Sequence, residues 1–460
     1  MQLSFRSQTL LAFLVGMAGF LCGQGSLKAD WISDWNQFAM NAARDSAELS
    51  PEAARSMAMM NTAIYNAVQG ITGSYQMYGH GGYTGPSGTA VGGASADAAA
   101  AAAAYTVLAD LYPSMAGAFS TLYANQLSSL MDEQAKLDGI NFGTLVANDI
   151  LNWRATDNAA VASNPGLYAP VGSAGYWAET SANSAALPGW GAVHTFGIAS
   201  PAAFSGSLGM SNPDYIATAS YATDFNEVKA LGAAGSVTRT AEQTDAAFFW
   251  QGAPGTVTNV GLWNDVAKDI VTSQGLTLSD SARLYAALNV ALADAAIVAW
   301  DTKFAVDLWS PVTAIQNGGA DLNPATAADA SWSSLLLPPD VPSFFAEQAI
   351  LGGAAAGILE QFAGTNYAFT LSSDTDGDGN PDLTFNFSSL AAALAQASDS
   401  VVWGGTSFRT AATQGATAGD QIADSVMGSQ FAPVPEPSGV LLLCLAGMTS
   451  VLRRQRRAQG

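Results

Sequence analysis

The stretch Ser279-Asp-Ser-Ala-Arg-Leu-Tyr-Ala-Ala-Leu-Asn-Val-Ala-Leu-Ala-Asp-Ala-Ala-Ile-Val-Ala-Trp-Asp301 decides the fold. Ser279 opens it. Leu284, Leu288, Leu292, Ala295 and Val298 then recur at three- and four-residue spacing, the period of one helical face. That face is narrow and rich in alanine, which suits helices that approach closely. Outward from it the same pattern returns. Ser50-Pro51-Glu52 supplies a cap, a proline at the first helical position and an early acid, and Met57, Met60, Ile64, Val68 and Ile71 follow on one face. Further helices are predicted over Asp97–Leu111, which stops before Pro113, over Phe119 to about Met131, over Phe344–Phe362 and from about Leu390 to Val402. Residues 155–260 are rich in Gly, Pro, Ser and aromatics and read as long ordered loops over a helical core. No internal repeat and no Gly-rich nucleotide fingerprint is visible. The expected fold is all-α, one large helical-bundle domain with long loops over residues 30–431.

Composition narrows the function classes. Of 460 residues, 49% are apolar and 12% charged, with 37 acids against 16 bases. Such a chain has enough apolar material for a large core and is not disordered. It would be repelled by nucleic acid and by anionic membrane surfaces, so no nucleic-acid partner is expected.

Both ends read as targeting signals. Residues 1–29 carry Arg6, an apolar run from Leu10 to Cys22 and the small-residue exit Leu27-Lys28-Ala29, the layout of a secretory signal peptide. Leu21 before Cys22 argues against a lipoprotein. Residues 432–460 hold Pro435-Glu436-Pro437, a short apolar stretch from Val440 to Leu452, and Arg453-Arg454-Gln455-Arg456-Arg457. This end resembles the PEP-CTERM sorting signal of Gram-negative bacteria. The resemblance implies an exosortase-type sorting enzyme as partner, transient anchoring of the tail in the inner membrane, and delivery to the envelope, outer surface or extracellular matrix. An ordinary C-terminal anchor is the alternative. Cys22 and Cys444 are the only cysteines and both lie in these ends, so the body between them has neither disulfide nor thiol chemistry.

Trp35, Ser50-Pro51, Ala54-Arg55, Ala63-Ile64-Tyr65-Asn66-Ala67, Leu187-Pro188-Gly189-Trp190-Gly191, Arg239-Thr240-Ala241-Glu242-Gln243 with Phe249-Trp250, and Asp294-Ala295-Ala296 with Trp300-Asp301-Thr302-Lys303 occur in this order. Together they resemble the bacterial vanadium-dependent haloperoxidase-like proteins over roughly residues 31–430. The resemblance implies α-helical bundles, an anion pocket shared with type 2 phosphatidic-acid phosphatases and bacterial acid phosphatases, and a homodimer.

The pocket motifs of that family are only partly present. Its first, Lys followed at a distance by Arg-Pro, reads Lys303 and Ser310-Pro311 here. Its second, Pro-Ser-Gly-His, falls on Pro342-Ser343, with Ala346, Glu347 and Gln348 at the Ser-Gly-His positions. Its third, with Ser-Arg and a later His, reads Ser400-Val401 and Ser407, flanked by Trp403-Gly404-Gly405 and Phe408-Arg409. Lys303 is then the one retained pocket residue, pairing with Asp301 or Asp307, and vanadate is not expected to bind. Each missing arginine removes bonds of ~1.5–3 kcal/mol to an oxyanion, and a missing acid–base His forfeits on the order of 10²–10⁴ in rate. The sequence therefore points to a non-catalytic relative, with an active haloperoxidase or acid phosphatase using a rebuilt pocket as the alternative. The two histidines, His80 in Gly79-His80-Gly81-Gly82 and His194, are expected to be solvent-exposed and structural, respectively.

One metal motif stands apart. Asp374, Asp376, Asp378 and Asp382 occupy loop positions 1, 3, 5 and 9, with Gly379 at position 6 and the Asn380 carbonyl at 7, the layout of a calcium loop. Phe385 stands where the bidentate Glu belongs, which predicts weak calcium binding within a 372–384 insertion. A polar turn without metal is the alternative.

Overall fold

The computed structural model describes residues 31–178 and 184–434, so both terminal signals lie outside the described residues. Fourteen α-helices are described. They are α1 Trp31–Asp45, α2 Ser50–Thr72, α3 Ala96–Leu111, α4 Ala116–Ser128, α5 Glu133–Arg154, α6 Asn212–Ile216, α7 Ala219–Leu231, α8 Ala241–Phe249, α9 Thr258–Gln274, α10 Leu278–Val306, α11 Pro311–Gln316, α12 Glu347–Ala363, α13 Leu390–Trp403 and α14 Arg409–Ser429. Between α12 and α13 two short antiparallel strands, β1 Phe369–Ser373 and β2 Leu383–Phe387, pair Phe369 with Phe387 and Ser373 with Leu383.

The central helix α10 runs 29 residues, about 43 Å at 1.5 Å per residue. Thr277 caps it by accepting the Asp280 N–H, and Asp307, at φ 54°, ends it in the left-handed conformation. By length and composition it could cross a membrane, but it is sheathed by protein almost throughout. On one side α10 packs against α2, itself packed on α3 and α5; on the other it packs against α12, which lies along α14. The chain thus forms two helical groups flanking one shared axis.

Small residues make these crossings possible. A Cβ on Gly419 of α14 would overlap the carbonyl oxygen of Ile350 in α12, and one on Gly353 would overlap that of Ala416. The backbones touch directly, so the sites are close-packed with no slack.

Some polar groups inside this core pair with each other, while others, such as the Asn259 amide and the Trp263 and Trp309 indole N–H groups, are buried without a hydrogen-bond partner. Asn36 and Asn61 exchange amide bonds of 3.1 and 2.8 Å between α1 and α2, and Asn264 and Asn289 do the same at 2.9 and 2.8 Å between α9 and α10. In both pairs each Asn also donates to the carbonyl four residues earlier, and the partners stand 25 residues apart. Trp precedes the first Asn of each pair, at Trp35 and Trp263. The same device therefore recurs, joining α1 to α2 and α9 to α10, carried by too few residues to register as a sequence repeat. Buried Asp294 accepts the backbone N–H of Phe196, Gly197 and Ile198 at 2.6–2.9 Å, tying the long loop to α10. Arg154, fully enclosed, shares Asp157 with Arg55 and lies over the Phe196 ring.

The all-α expectation holds, with corrections. The 155–260 region contains α7 and α8 as well as loops, because its aromatics Tyr221, Phe225 and Phe249 are core residues of short helices. The helix expected from Phe344 begins at Glu347; Phe344 and Phe345 precede it as buried, non-helical residues. The hairpin was not expected. Its β2 residues Phe385 and Phe387 pack on α8, Phe385 standing 5.1 Å from Phe249 between ring centres, while β1, with buried Phe369 and Leu371, lies against α9.

Two outcomes follow from this packing. Gly419→Ala should gain ~1 kcal/mol of helix propensity yet lose more to the overlap with Ile350, a net destabilisation of roughly 1–3 kcal/mol in urea unfolding. Burial pushes the carboxyls of Glu48 up to about 7 and of Asp294 and Asp307 up to about 6. Between pH ~4 and ~7 the native chain holds protons that the unfolded chain has released, so stability falls as pH rises through that window. The thermal midpoint should be higher at pH 5 than at pH 8.

Candidate functional site

A cavity of about 320 Å³ opens where Ala186 of the long loop and six further segments meet. The six are the start of α2 (Leu49, Ser50), the loop after α8 (Trp250 to Pro254), the last turns of α10 (Trp300, Lys303), the lip Leu336–Ser343, the first turn of α12 (Ala346, Glu347, Gln348), and α13 with its following turn (Ser400, Val401, Thr406, Ser407). Each has a local reason to be there. Lys303 lies three residues, nearly one turn, beyond Trp300 on the same face of α10. The helical start at Glu347 puts its side chain and that of Gln348 at the cavity wall, and Gly404-Gly405 turns the chain sharply after α13, with Gly405 at φ 76°.

The cavity therefore gathers the positions that sequence comparison singled out: Lys303, Ser343, Ala346, Glu347, Gln348, Ser400, Val401 and Ser407 all line it. Ser310 does not. It caps α11, its hydroxyl 3.1 Å from that of Thr313. Arg409 is also elsewhere, bonded to Glu227 and Asp399. Arg239 donates to the carbonyls of Leu231, Ala233 and Trp403, holding α7 to the end of α13.

Among the described residues Lys303 is the one cation in the lining, with no Arg or His beside it. The expected pairing with Asp301 or Asp307 does not occur. The Lys303 Nζ donates to the carbonyls of Phe345 at 2.5 Å and Pro342 at 3.3 Å, while Asp301 accepts from Ser205 and Asp307 from Tyr168. The reason is geometric: Nζ reaches inward from α10 to the two carbonyls just before α12. Burial pushes the amine down to about 8, partly countered by the Glu347 carboxyl. Glu347, half-buried at the wall, has its carboxyl raised by burial and pulled back by the Ser50 hydroxyl and Lys303.

The remaining polar lining is internally bonded. Ser407 donates to the Ser343 carbonyl at 2.9 Å, its oxygen 3.3 Å from the Ser343 hydroxyl. Ser400 donates to the Ala397 carbonyl, and Gln348 to the Gln251 carbonyl at 3.4 Å. Val401, 2% exposed, presents methyl groups. Trp250 and Trp300 contribute apolar surface, their N–H groups spent on Gln396 and the Ala186 carbonyl. The contribution of Trp250 and the Leu336–Pro342 lip was missed in the sequence, since nothing but their placement marks them.

The histidines stand apart from the cavity. His80 is not fully exposed as expected: it is half-buried, 3.2 Å from the Thr195 hydroxyl, because the 195–198 loop covers it. His194 has an exposed side chain, and its carbonyl accepts from Arg154. At the hairpin tip one carboxylate oxygen each of Asp374, Asp376 and Asp382 lie within 4.8 Å of one another. Asp378 does not join them, its carboxylate accepting the Asn380 N–H groups. Phe385 at the twelfth loop position is committed to β2.

Residues 283–433 match the VCPO second helical-bundle domain. No curated protein matches the sequence. Among solved structures, the first bacterial vanadium-dependent iodoperoxidase is similar with a TM-score of 0.75 and 21% identity, covering 90% of this chain and all of that one. A bacterial vanadium-dependent chloroperoxidase in its apo form is similar with a TM-score of 0.63 and 16% identity, over 83% of this chain and 94% of that one. With these helices in this order around one axis, the chain has the fold of the vanadium-dependent haloperoxidases, and its residues 283–433 correspond to the second VCPO helical bundle.

Proposed function

We propose that this is an exported haloperoxidase-fold protein without haloperoxidase or phosphatase catalysis, serving as an envelope or matrix component sorted through its C-terminal signal. One observation carries the reading: among the described residues the cavity has a single cation, already donating to two carbonyls, with the carboxyl groups of Asp340 and Glu347 in the same wall. Vanadate does not fit this donor set. A tetrahedral oxyanion would meet the Val401 methyls and the Glu347 carboxyl where it needs charged donors, and no imidazole is present to bond the metal. Electrostatics within a buried site act at full strength, so the mismatch is severe. Secretion, exosortase processing and an envelope location rest on residues 1–29 and 432–460. A homodimer rests on the family resemblance.

A second, independent reading concerns the hairpin tip. The approach of the Asp374, Asp376 and Asp382 carboxylates favours a weak calcium site that would staple a chain without disulfides.

Purified protein given vanadate, peroxide and iodide or bromide should show no halide oxidation, with no hydrolysis of a phosphate ester and no vanadate-dependent rise in thermal midpoint. Turnover that disappears in Lys303→Ala would reject the inactive reading. Calcium should raise the thermal midpoint, by about 1.4 kcal/mol of stability at ten times Kd, and Asp382→Asn should remove the effect. No calcium effect at millimolar concentration would exclude the site.

A further inference from the structure

Lys303 belongs to none of the ion pairs among the described residues. Its nitrogen makes two hydrogen bonds, both to backbone carbonyls. A neutral amine has two N–H donors, so it can keep both bonds. With both hydrogens directed to Phe345 and Pro342, the lone pair takes the one tetrahedral position left on a nitrogen whose side chain lines the cavity. Because burial brings the amine down to about 8, roughly a tenth of it is neutral at pH 7, several hundred times the share of an exposed lysine. Desolvation of this kind activates lysine nucleophiles. Around it the lining is largely apolar, with Trp250, Trp300, Leu336 and Val401 and neither indole offering a free donor. A cavity of about 320 Å³ accepts a small organic molecule. Two acids stand in the same wall, Asp340 on the lip and Glu347, held by Ser50, at the start of α12 beside the two carbonyls that Lys303 binds.

We propose that this cavity captures a small apolar aldehyde or ketone as an imine on the Lys303 Nζ, with the Glu347 carboxyl donating the proton that lets oxygen leave. The nitrogen lone pair forms the C–N bond while the carbonyl π electrons move to oxygen, and a proton passes from nitrogen to that oxygen to give the carbinolamine. The Glu347 acid then protonates the hydroxyl, the C–O bond breaks, water departs and the nitrogen lone pair closes the C=N bond. Amine, carbonyl and one proton become iminium and water, with no net oxidation. The inference rests on the reading above that no oxyanion occupies Lys303.

The test incubates the full chain with benzaldehyde and cyanoborohydride at pH 7 and maps the reduced adducts by peptide mass spectrometry. Lys303 should label at least about tenfold faster than Lys136, Lys229 and Lys268. Equal or slower labelling at Lys303 overturns the proposal. Glu347→Gln should slow labelling at Lys303 about tenfold or more while leaving Lys268 and the thermal midpoint unchanged; unchanged labelling at Lys303 overturns the role of Glu347. A parallel arm with vanadate separates the two readings. Protection of an otherwise reactive Lys303 by vanadate overturns the anion-free cavity, whereas an unreactive Lys303 with no vanadate-dependent thermal shift overturns imine capture alone.

Discussion

Backbone touching backbone between α12 and α14 is the constraint on which the second helical group depends. At Gly353 and Gly419 there is no room for a side chain, so the two helices lie closer than leucine or valine would permit. That closeness fixes where α12 begins, and the start of α12 places Ala346, Glu347 and Gln348 against the end of α10. A core built from alanine and glycine gains less per residue from apolar burial than one built from leucine. It compensates through contact over long helical surfaces and through paired amides, as in the exchange between Asn264 and Asn289.

The cavity is walled largely by apolar side chains and by polar groups that bond the protein itself. Lys303 satisfies two carbonyls that would otherwise end unpaired before α12, which gives it a structural purpose independent of any ligand. Ser343 and Ser407 likewise bond one another across the cavity floor and join the α12 and α14 approaches. These bonds hold the cavity's walls together whatever chemistry it carries, consistent with the general separation of scaffold from chemistry.

Much of this was legible in the sequence, and the failures have identifiable causes. The α10 periodicity and the Ser50-Pro51 start marked helices correctly, because both depend on local pattern. The motif positions from Ser343 to Ser407 could be matched without a structure, and the fold gathers them round one cavity. What sequence could not give was direction: Lys303 has acids nearby at Asp301 and Asp307, yet its side chain leaves α10 toward carbonyls forty residues away along the chain. Ser310 shows the same limit, since a match by spacing does not reveal that its hydroxyl is spent capping α11. The hairpin was concealed because its Phe369, Leu371, Phe385 and Phe387 are split by the Asp-rich tip, leaving two five-residue strands too short to stand out.

The tip of that hairpin leans on the molecule in an instructive place. The Gly377 backbone lies so close to the Gly255 carbonyl that a methyl group would not fit, and the Ser373 hydroxyl grips the Phe249 carbonyl at 3.0 Å. Both footholds border the Gln251–Pro254 rim. A small β-ribbon therefore works as a buttress, and the loop it props is deprived of the freedom that glycine and proline would otherwise grant it. Anything that tightens the ribbon's outer end stiffens that rim, and anything that frays it lets the mouth breathe.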